Sequence, residues 1–589
     1  MERAGIYKNK IEKYKSEVKQ LSGKILRLSL IRLTLFGVAV CGIYFLWSSP
    51  LWISMILFVF FVSFVYLVKK HAELKEERAK TKLLIDINTK EIDAINGNYG
   101  HFKNGKIYKE ANHAFAEDID LFGEKSFFQY LNRTGLHIGQ DILADMLKSN
   151  SISDIPAKQK ATQELAEKIN FRQRFTAEAR MLTDQEKLKG ILNGLQNHKD
   201  FVPKYLKILG YVFSLLSLGV IALYAFEIIG EMQLLLWIFV GLGITGAFLK
   251  KVNKLSLITS KGQEIFRQYQ KLISTTERED FECELLKHKQ SQLVTRENEA
   301  SKLMKQFSKY IDNLEQRQNF LVGFVLNALF LWDLQQSYKI EGWLAENKHS
   351  LEKWFNTIAE FDALNSLGNL AFNETEFCYP TILDNNDHIL ICESGCHPLI
   401  PKNQAVANDF SIDNEDFLII TGANMAGKST FLRTVSLMVV MSNLGLPVCA
   451  KSCVYSPIKL ITSMRTSDSL SDESSYFYSE LSRLKTIVER LTKDRYFIVL
   501  DEILKGTNSH DKAKGSKQFI EKLVKTKSSG IIATHDLSLC SLSEKLDSVY
   551  NYYFDAEIKN DELYFDYKFK KGICQNMNAS FLLKKMGIV

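Results

Sequence analysis

The sequence predicts a multidomain α and α/β protein with transmembrane helical hairpins, a helical core and lever region, and a C-terminal P-loop α/β domain. Three observations predict it. Two pairs of long, uncharged apolar runs stand in the first half of the chain. Stretches rich in Lys, Glu and Gln, with sparse apolar positions at helical spacing, follow them. A G-x4-G-K-S segment lies between an apolar strand candidate and a helical pattern, the setting that a phosphate-binding loop needs.

The whole-chain figures agree. The chain has 589 residues; at roughly 100–200 residues per domain that is three or four domains. It is 46% hydrophobic and 24% charged, enough to bury large cores, and its 31 Gly and 8 Pro exclude a collagen-like or loop-rich disordered chain. Nine cysteines without a C-x-x-C pair read as reduced, mostly buried thiols and not as a disulfide framework. A net charge of +7 is mild and says little about nucleic acid by itself.

The first region, residues 1–110, holds apolar runs at 33–47 and 51–68, broken at Ser48, Ser49 and Pro50. The pattern recurs within 205–250, at 208–226 and 232–249, joined by a tip from Glu227 to Glu231. Runs of about 18–20 apolar residues match the hydrocarbon thickness of a bilayer. Lys24, Arg27 and Arg32 precede the first hairpin and Lys69 and Lys70 follow it. Lys204 and Lys207 precede the second, and Lys250, Lys251 and Lys254 follow it. Neither tip carries Lys or Arg, so all four outer flanks are expected on the inside. The alternative is two buried helical hairpins of a large soluble protein. A further apolar run, 320–332, is short for a span and reads as a core helix.

Residues 111–204 and 251–375 read as helical. Ile265, Tyr269 and Ile273 mark the apolar stripe of a long amphipathic helix, either a solvated stalk or an arm. Residues 376–589 form the nucleotide domain. Gly422, Ala423, Asn424, Met425, Ala426, Gly427, Lys428, Ser429 and Thr430 follow an apolar strand candidate. Glycines let the backbone N–H groups turn inward as an anion cradle, and a following helix adds its positive dipole end. Lys428 is expected to reach the β and γ phosphates of ATP, and Ser429 to ligate Mg²⁺. Asp501 and Glu502 end a second apolar strand. Asp501 suits the Mg²⁺ shell and Glu502 the general base that polarises the attacking water. His535, at the end of a further strand, is placed to contact the γ-phosphate or water. Cys392, Cys396, Cys449 and Cys453 form two C-x3-C pairs, read as buried thiols in preference to a zinc site.

These residues resemble the ATPase domain of the MutS family, the mismatch-repair ATPases related to ABC ATPases. The loop with Asn424 and Met425 resembles T-G-x-N-M-x-G-K-S-T. The segment from Ser475 to Glu480 resembles S-T-F-x-x-E. Asp501, Glu502 and Ile503 followed by Gly506 and Thr507 resemble D-E-I-G-R-G-T. His397-Pro398, Thr534-His535 and Asn578-Ala579-Ser580 stand where the family has H-P, T-H and S-Y-G. Upstream, the stretch from Leu131 to Gly135 resembles the core domain's L-N-R-T, and 358–367 resembles the D-x-L-x-S-L that ends the lever helices. The resemblance covers about 70% of the chain. It implies ATP and Mg²⁺ bound in a dimer, with Ser475 acting on the partner subunit's nucleotide, and a DNA clamp or related cycle with DNA binding inherited from mismatch repair.

The departures are as informative. A membrane hairpin occupies the stretch before residue 120 where mismatch-binding and connector domains would lie. Phe115-Ala116-Glu117 and Phe122-Gly123-Glu124 are chance-level matches to the mismatch reader. Leu504-Lys505 replaces Gly-Arg, and the adenine-stacking aromatic falls near Ala405. The chain is most similar to membrane-embedded MutS-related proteins. That implies a multi-pass protein of the bacterial inner membrane with a cytoplasmic ATPase domain, in contact with lipid. The other function class is an ATP-driven membrane machine, or a nucleotide-gated scaffold, acting on a membrane or protein client without DNA.

Overall fold

The computed structural model describes residues 2–47, 50–182, 185–295, 298–384, 387–464, 476–559 and 562–575. Ser475 and the 578–580 segment lie outside the described residues.

Both apolar hairpins form. The first pairs α1 (Glu2–Phe45) with α2 (Pro50–Ile95). Pro50 opens α2, where its missing N–H removes no helical bond. The helices run 44 and 46 residues, about 65–70 Å each at 1.5 Å per residue, well past the apolar runs. The second hairpin pairs α3 (Tyr205–Ala225) with α4 (Glu231–Glu277). Glu227 turns the chain in the left-handed region, with φ 58°. All four helices are long and apolar enough to cross a membrane, yet only 0–17% of their most apolar windows is buried within the protein. The described residues of this chain thus leave these apolar windows uncovered, whereas a core helix has its apolar face covered.

The polar half of α4 packs on α5 (Ala300–Glu315) and on the long α7 (Trp332–Asn373). Ile265, Tyr269 and Ile273 are buried there, with the rings of Tyr269 and Phe355 4.1 Å apart. The stretch read as a stalk or an arm is thus part of a packed bundle. The 320–332 run departs from expectation. Its helix α6 (Phe320–Phe330) buries only Gly323, Asn327 and Ala328 and exposes Phe320, Leu321, Val322, Phe324 and Val325. It does not fill a core of the described residues.

Helices at His137–Lys148 and Ile155–Glu167 pack along α7, so the core region is assembled across the inserted second hairpin. Gly368 of α7 sits so close to Leu165 that a Cβ there would stand 2.6 Å from the leucine Cβ. Phe115 and Phe122 are 1% and 3% exposed, which removes both as readers of a base.

The nucleotide domain holds two larger sheets among the described residues, besides a two-stranded antiparallel ribbon of Ala556–Lys559 and Glu562–Phe565. Its strands are β1 (Thr381–Ile382), β2 (His388–Gly395), β3 (Asn408–Asp413), β4 (Phe417–Gly422), β5 (Ser452–Tyr455), β6 (Lys459–Ser463), β7 (Tyr496–Asp501), β8 (Ser529–Ala533) and β9 (Val549–Phe554), with Lys570–Lys571 as β10. A six-stranded sheet runs β10-β9-β4-β8-β7-β6, parallel apart from β10. A four-stranded sheet runs β1-β5-β2-β3. Strand β4 is buried on every residue, as the central strand of a parallel sheet requires. Ala533 pairs with both Ile420 and Asp501, which brings the carboxyl ends of β4, β7 and β8 level. Ligands of open α/β sheets bind at that edge.

One buried polar network ties the hairpin stalk to this assembly. Glu91 of α2 is 3% exposed. It accepts from Arg133 Nε at 2.6 Å, Asn369 Nδ2 at 3.1 Å and Asn373 Nδ2 at 2.9 Å. Tyr7 of α1 donates to Asn373 Oδ1 at 2.7 Å. Burial pushes the Glu91 carboxyl up, but the Arg133 charge and the three donors outweigh it and hold it below the usual range. A carboxylate depressed in the folded state contributes stability above its unfolded pKa and loses it as pH falls. Glu91→Ala strands Arg133 in the interior and is expected to destabilise the protein by about 3–5 kcal/mol, read as a lower denaturation midpoint in detergent at pH 7.

Candidate nucleotide site

Strand β4 ends at Gly422, whose φ of 148° brings its Cα against the Phe554 carbonyl; a Cβ there would stand 2.5 Å from that oxygen. The chain then loops through Met425 (φ 69°) and Gly427 (φ 107°) into α8 (Lys428–Asn443). The loop lines a pocket of about 610 Å³ with Asn424, Met425, Gly427, Lys428, Ser429 and Thr430 on one side. Asp501, Glu502 and Lys505 close a second side, and Cys396, His397, Ala405 and Tyr567 a third.

The charged groups are paired with one another. Lys428 Nζ donates to the carbonyls of Gly422 at 2.8 Å and Ala423 at 3.0 Å, and lies 3.3 Å from His535 Nε2. Burial lowers its pKa, opposed by Asp501 and Glu502. Ser429 Oγ donates to Asp501 Oδ2 at 2.7 Å, and burial raises the Asp501 pKa against that bond. Glu502 Oε1 is 2.9 Å from His535 Nε2, and this contact, with Lys505, holds Glu502 near about 2 despite burial. The structure thus brings Lys428, Ser429, Asp501, Glu502 and His535 into one cluster, as the sequence predicts. A hydroxyl and a carboxylate 2.7 Å apart beside a lysine and an anion cradle suit a hydrated Mg²⁺ and a triphosphate.

Three features were not read from the sequence. Glu502 and Leu504 both adopt left-handed φ, 49° and 58°. Leu504 does so where the resemblance has glycine, and it is held there. The Glu480 carboxylate accepts the backbone N–H of Leu504 and that of Lys505, the latter at 3.0 Å, while the leucine side chain is 7% exposed. Glu480 therefore shapes the turn behind the two acidic residues. Tyr567 is an aromatic that lines the same pocket as Ala405. It stands over Gly427, with Asn408 Nδ2 donating to its carbonyl at 3.0 Å. Its distance in sequence from the loop hid it.

The third is a correction. Cys396 and Cys449 are joined by a disulfide, with Cα atoms 5.3 Å apart, so these two are neither free thiols nor half of a zinc set. Cys392 and Cys453 face each other in the antiparallel β2–β5 register and remain buried thiols. The same register, continued by the bond from Cys396 N–H to the Cys449 carbonyl at 2.8 Å, brings the other pair together. Beside it, His397 is pushed down to about 4 by burial and then by Arg433, so it is neutral at pH 7.

Comparison with known proteins places this geometry. Residues 418–584 match the family model for MutS domain V. The DNA mismatch repair protein MutS of Clostridium tetani (strain Massachusetts / E88) is 35% identical over 227 residues, 37% of this chain and 25% of that protein. The DNA mismatch repair protein MutS of Clostridium botulinum (strain Okra / Type B1) is 31% identical over 244 residues, 40% of this chain and 26% of that protein. The chain thus spans about a quarter of the length of these curated relatives. Residues 418–584 of this chain are therefore similar to domain V of the MutS family.

Proposed function

We propose that this chain is a membrane-anchored MutS-like ATPase that binds ATP with Mg²⁺ in a dimeric composite site and hydrolyses it to drive a DNA clamp or a related conformational cycle. The observation that carries the reading is the cluster of Lys428, Ser429, Asp501, Glu502 and His535 at the carboxyl edge of the parallel sheet. The exposed apolar belts of both hairpins support the anchor, and the basic flanks support a cytoplasmic ATPase domain at a bacterial inner membrane.

In this reading Lys428 leaves the Gly422 and Ala423 carbonyls for the β and γ phosphates. Ser429 and Asp501 would hold Mg²⁺, which when bound would supply neutralisation of charge on the phosphate oxygens. Gly422, Asn424, Met425, Gly427 and Thr430 complete the cradle, and Tyr567 stacks on the base. Glu502 takes a proton from the attacking water as the bond between the γ-phosphorus and the ADP oxygen breaks. His535, now bound to Glu502, turns to the γ-phosphate. Ser475 closes the site from the partner subunit.

A second reading is favoured by one observation. The long helix α7 contacts the second hairpin at one end and the core at the other, so the motor is geared to the membrane. An ATP-driven membrane machine, or a nucleotide-gated scaffold with a protein client, uses the same cycle without DNA.

Glu502→Gln is expected to keep ATP binding and lose about 10²–10⁴-fold in hydrolysis; a variant turning over at the parent rate removes the base assignment. Tyr567→Ala is expected to weaken ATP binding about tenfold, the loss of one stacking contact, with kcat retained, as read from the KM. ATP hydrolysis in detergent, with and without duplex DNA at two salt concentrations and Lys428→Ala as blank, separates the two readings. Stimulation that falls with salt marks phosphate contacts, whereas a Lys428-dependent rate indifferent to DNA favours the membrane client.

A further inference from the structure

We propose that α6 and the first turns of α7 form a re-entrant foot embedded in the inner leaflet, with the exposed face of α6 covered by lipid acyl chains. The inference rests on the membrane reading of the α3–α4 hairpin and adds a fifth membrane segment that does not cross.

Two helices give its depth independently. On α4, Arg317 Nη2, just before α6, donates to Asn253 Oδ1 at 2.7 Å, level with the basic cluster of Lys250, Lys251 and Lys254. At the far end of α6, a Cβ built on Gly241 would collide with the Ala328 carbonyl. Gly241 lies nine residues toward the hairpin tip from Lys250, about 14 Å along the helix. On α3, Ser214 Oγ meets the Phe330 carbonyl at 3.5 Å. Ser214 lies seven residues beyond Lys207, about 10 Å. Half of a hydrocarbon core is about 15 Å, so the α6–α7 turn sits near the midplane. Helix α6 has 11 residues, about 16 Å, and cannot cross. The chain then leaves by the route it entered. Gln335 is at Gly210, and Glu341 already binds the N–H groups of Phe201 and Val202 on the aqueous side of Lys204.

The turn has the chemistry that lipid demands. Backbone polar groups away from water must be satisfied within the protein. Leu331 reverses the chain with φ 49°. The Asp333 N–H donates to Asn327 Oδ1 at 3.0 Å, and Gln335 Nε2 donates to the Phe330 carbonyl at 2.7 Å and the Gly210 carbonyl at 3.1 Å. Asp333, 1% exposed, is paired through Oδ2 with Arg317 Nε at 3.2 Å, the pairing that intramembrane charges favour, while its Oδ1 has no hydrogen-bond partner among the described residues. The outward face carries Phe320, Leu321, Phe324 and Val325 at i, i+1, i+4, i+5 spacing, with no polar group among them. It continues the exposed apolar belt of α3 and α4 at the same depth, which names acyl chains as its occupant.

The test uses the full chain in phospholipid vesicles, with Cys41→Ala removing the exposed native thiol. A bimane label is placed through Phe324→Cys, and in matched proteins through Leu235→Cys in the α4 span and Leu257→Cys on the aqueous part of α4. Quenching is read with acyl-chain nitroxide lipids and with aqueous iodide. We expect the label at 324 to follow the one at 235, strongly quenched by lipid and spared by iodide, while the one at 257 shows the reverse. Iodide quenching at 324 with lipid quenching at 235 overturns the foot and leaves the spans standing. Protection at 324 from both quenchers also overturns it, because protein then covers the face. Iodide quenching at 235 as well overturns the membrane reading on which the proposal rests.

Discussion

A carboxylate taken out of water with only one charged partner is costly unless its remaining lone pairs are filled. Glu91 meets that condition through Arg133 and two asparagines of α7, and the need to meet it fixes where the molecule's parts stand. Arg172 Nη1 donates to Asn369 Oδ1 at 2.6 Å, and Tyr7 closes the far side through Asn373. Stalk, core and lever converge on one group. None can shift without leaving a buried charge or donor unpaired. The first hairpin is therefore not tethered by a flexible linker. Its stalk is docked at the end of α7, at the joint with the nucleotide domain.

From that joint a contiguous packed path leads to the phosphate loop. Helix α8 begins at Lys428 and ends at Asn443, where Lys158 Nζ donates to the Asn443 carbonyl at 3.3 Å and Thr162 Oγ1 to the Gly445 carbonyl at 2.7 Å. Gly445, at φ 71°, lets the chain pass so close that a Cβ would stand 2.7 Å from the Gln159 nitrogen. The helix holding Lys158 and Thr162 also carries Leu165, which seats Gly368 of α7. Each contact is between backbones or buried side chains, which pack at crystal-like density and pass on displacement with little compression. The Lys428, Asp501 and Glu502 group is held by internal partners, which the triphosphate of the proposed cycle would have to replace at the end of α8 nearest the pocket.

How much of this was legible in sequence depended on how local the chemistry is. The phosphate loop and the two acidic residues were readable because strand, glycines, lysine and carboxylates each lie within a few consecutive positions. Both hairpins were readable because each is written as two long uncharged apolar runs of consecutive residues. Tyr567 and the Glu480 contact to Leu504 were not, since both depend on tertiary proximity. Leu504 shows why a missing glycine misleads: the strain of φ 58° is offset by two N–H bonds to Glu480 and by burial of the side chain, none of it visible in the motif. The two C-x3-C runs held a usable signal. Equal spacing on two antiparallel strands pairs both ends at once, so Cys392 facing Cys453 also brings Cys396 to Cys449. The 320–332 run failed for a different reason. Apolarity records what surrounds a helix and does not distinguish a protein core from lipid.

That last ambiguity bears on how the two halves work together. Helix α7 is 42 residues long, about 63 Å. One end is seated by Gly368 on the helix that touches α8, and the other turns back at Leu331 beside α3 and α4. A continuous helix resists bending, so a small rotation at the seated end becomes a larger sideways displacement at the foot. If α6 were a soluble core helix, that displacement would be absorbed by the packing around it. Its outward face has no neighbour among the described residues, and Gln335 and Arg317 tie the foot to α3 and α4. Movement of the lever is therefore carried into the second hairpin, while the first is held through Glu91. The stalk of the first hairpin and the second hairpin meet opposite ends of the same lever, and relative motion between them is the output this geometry favours.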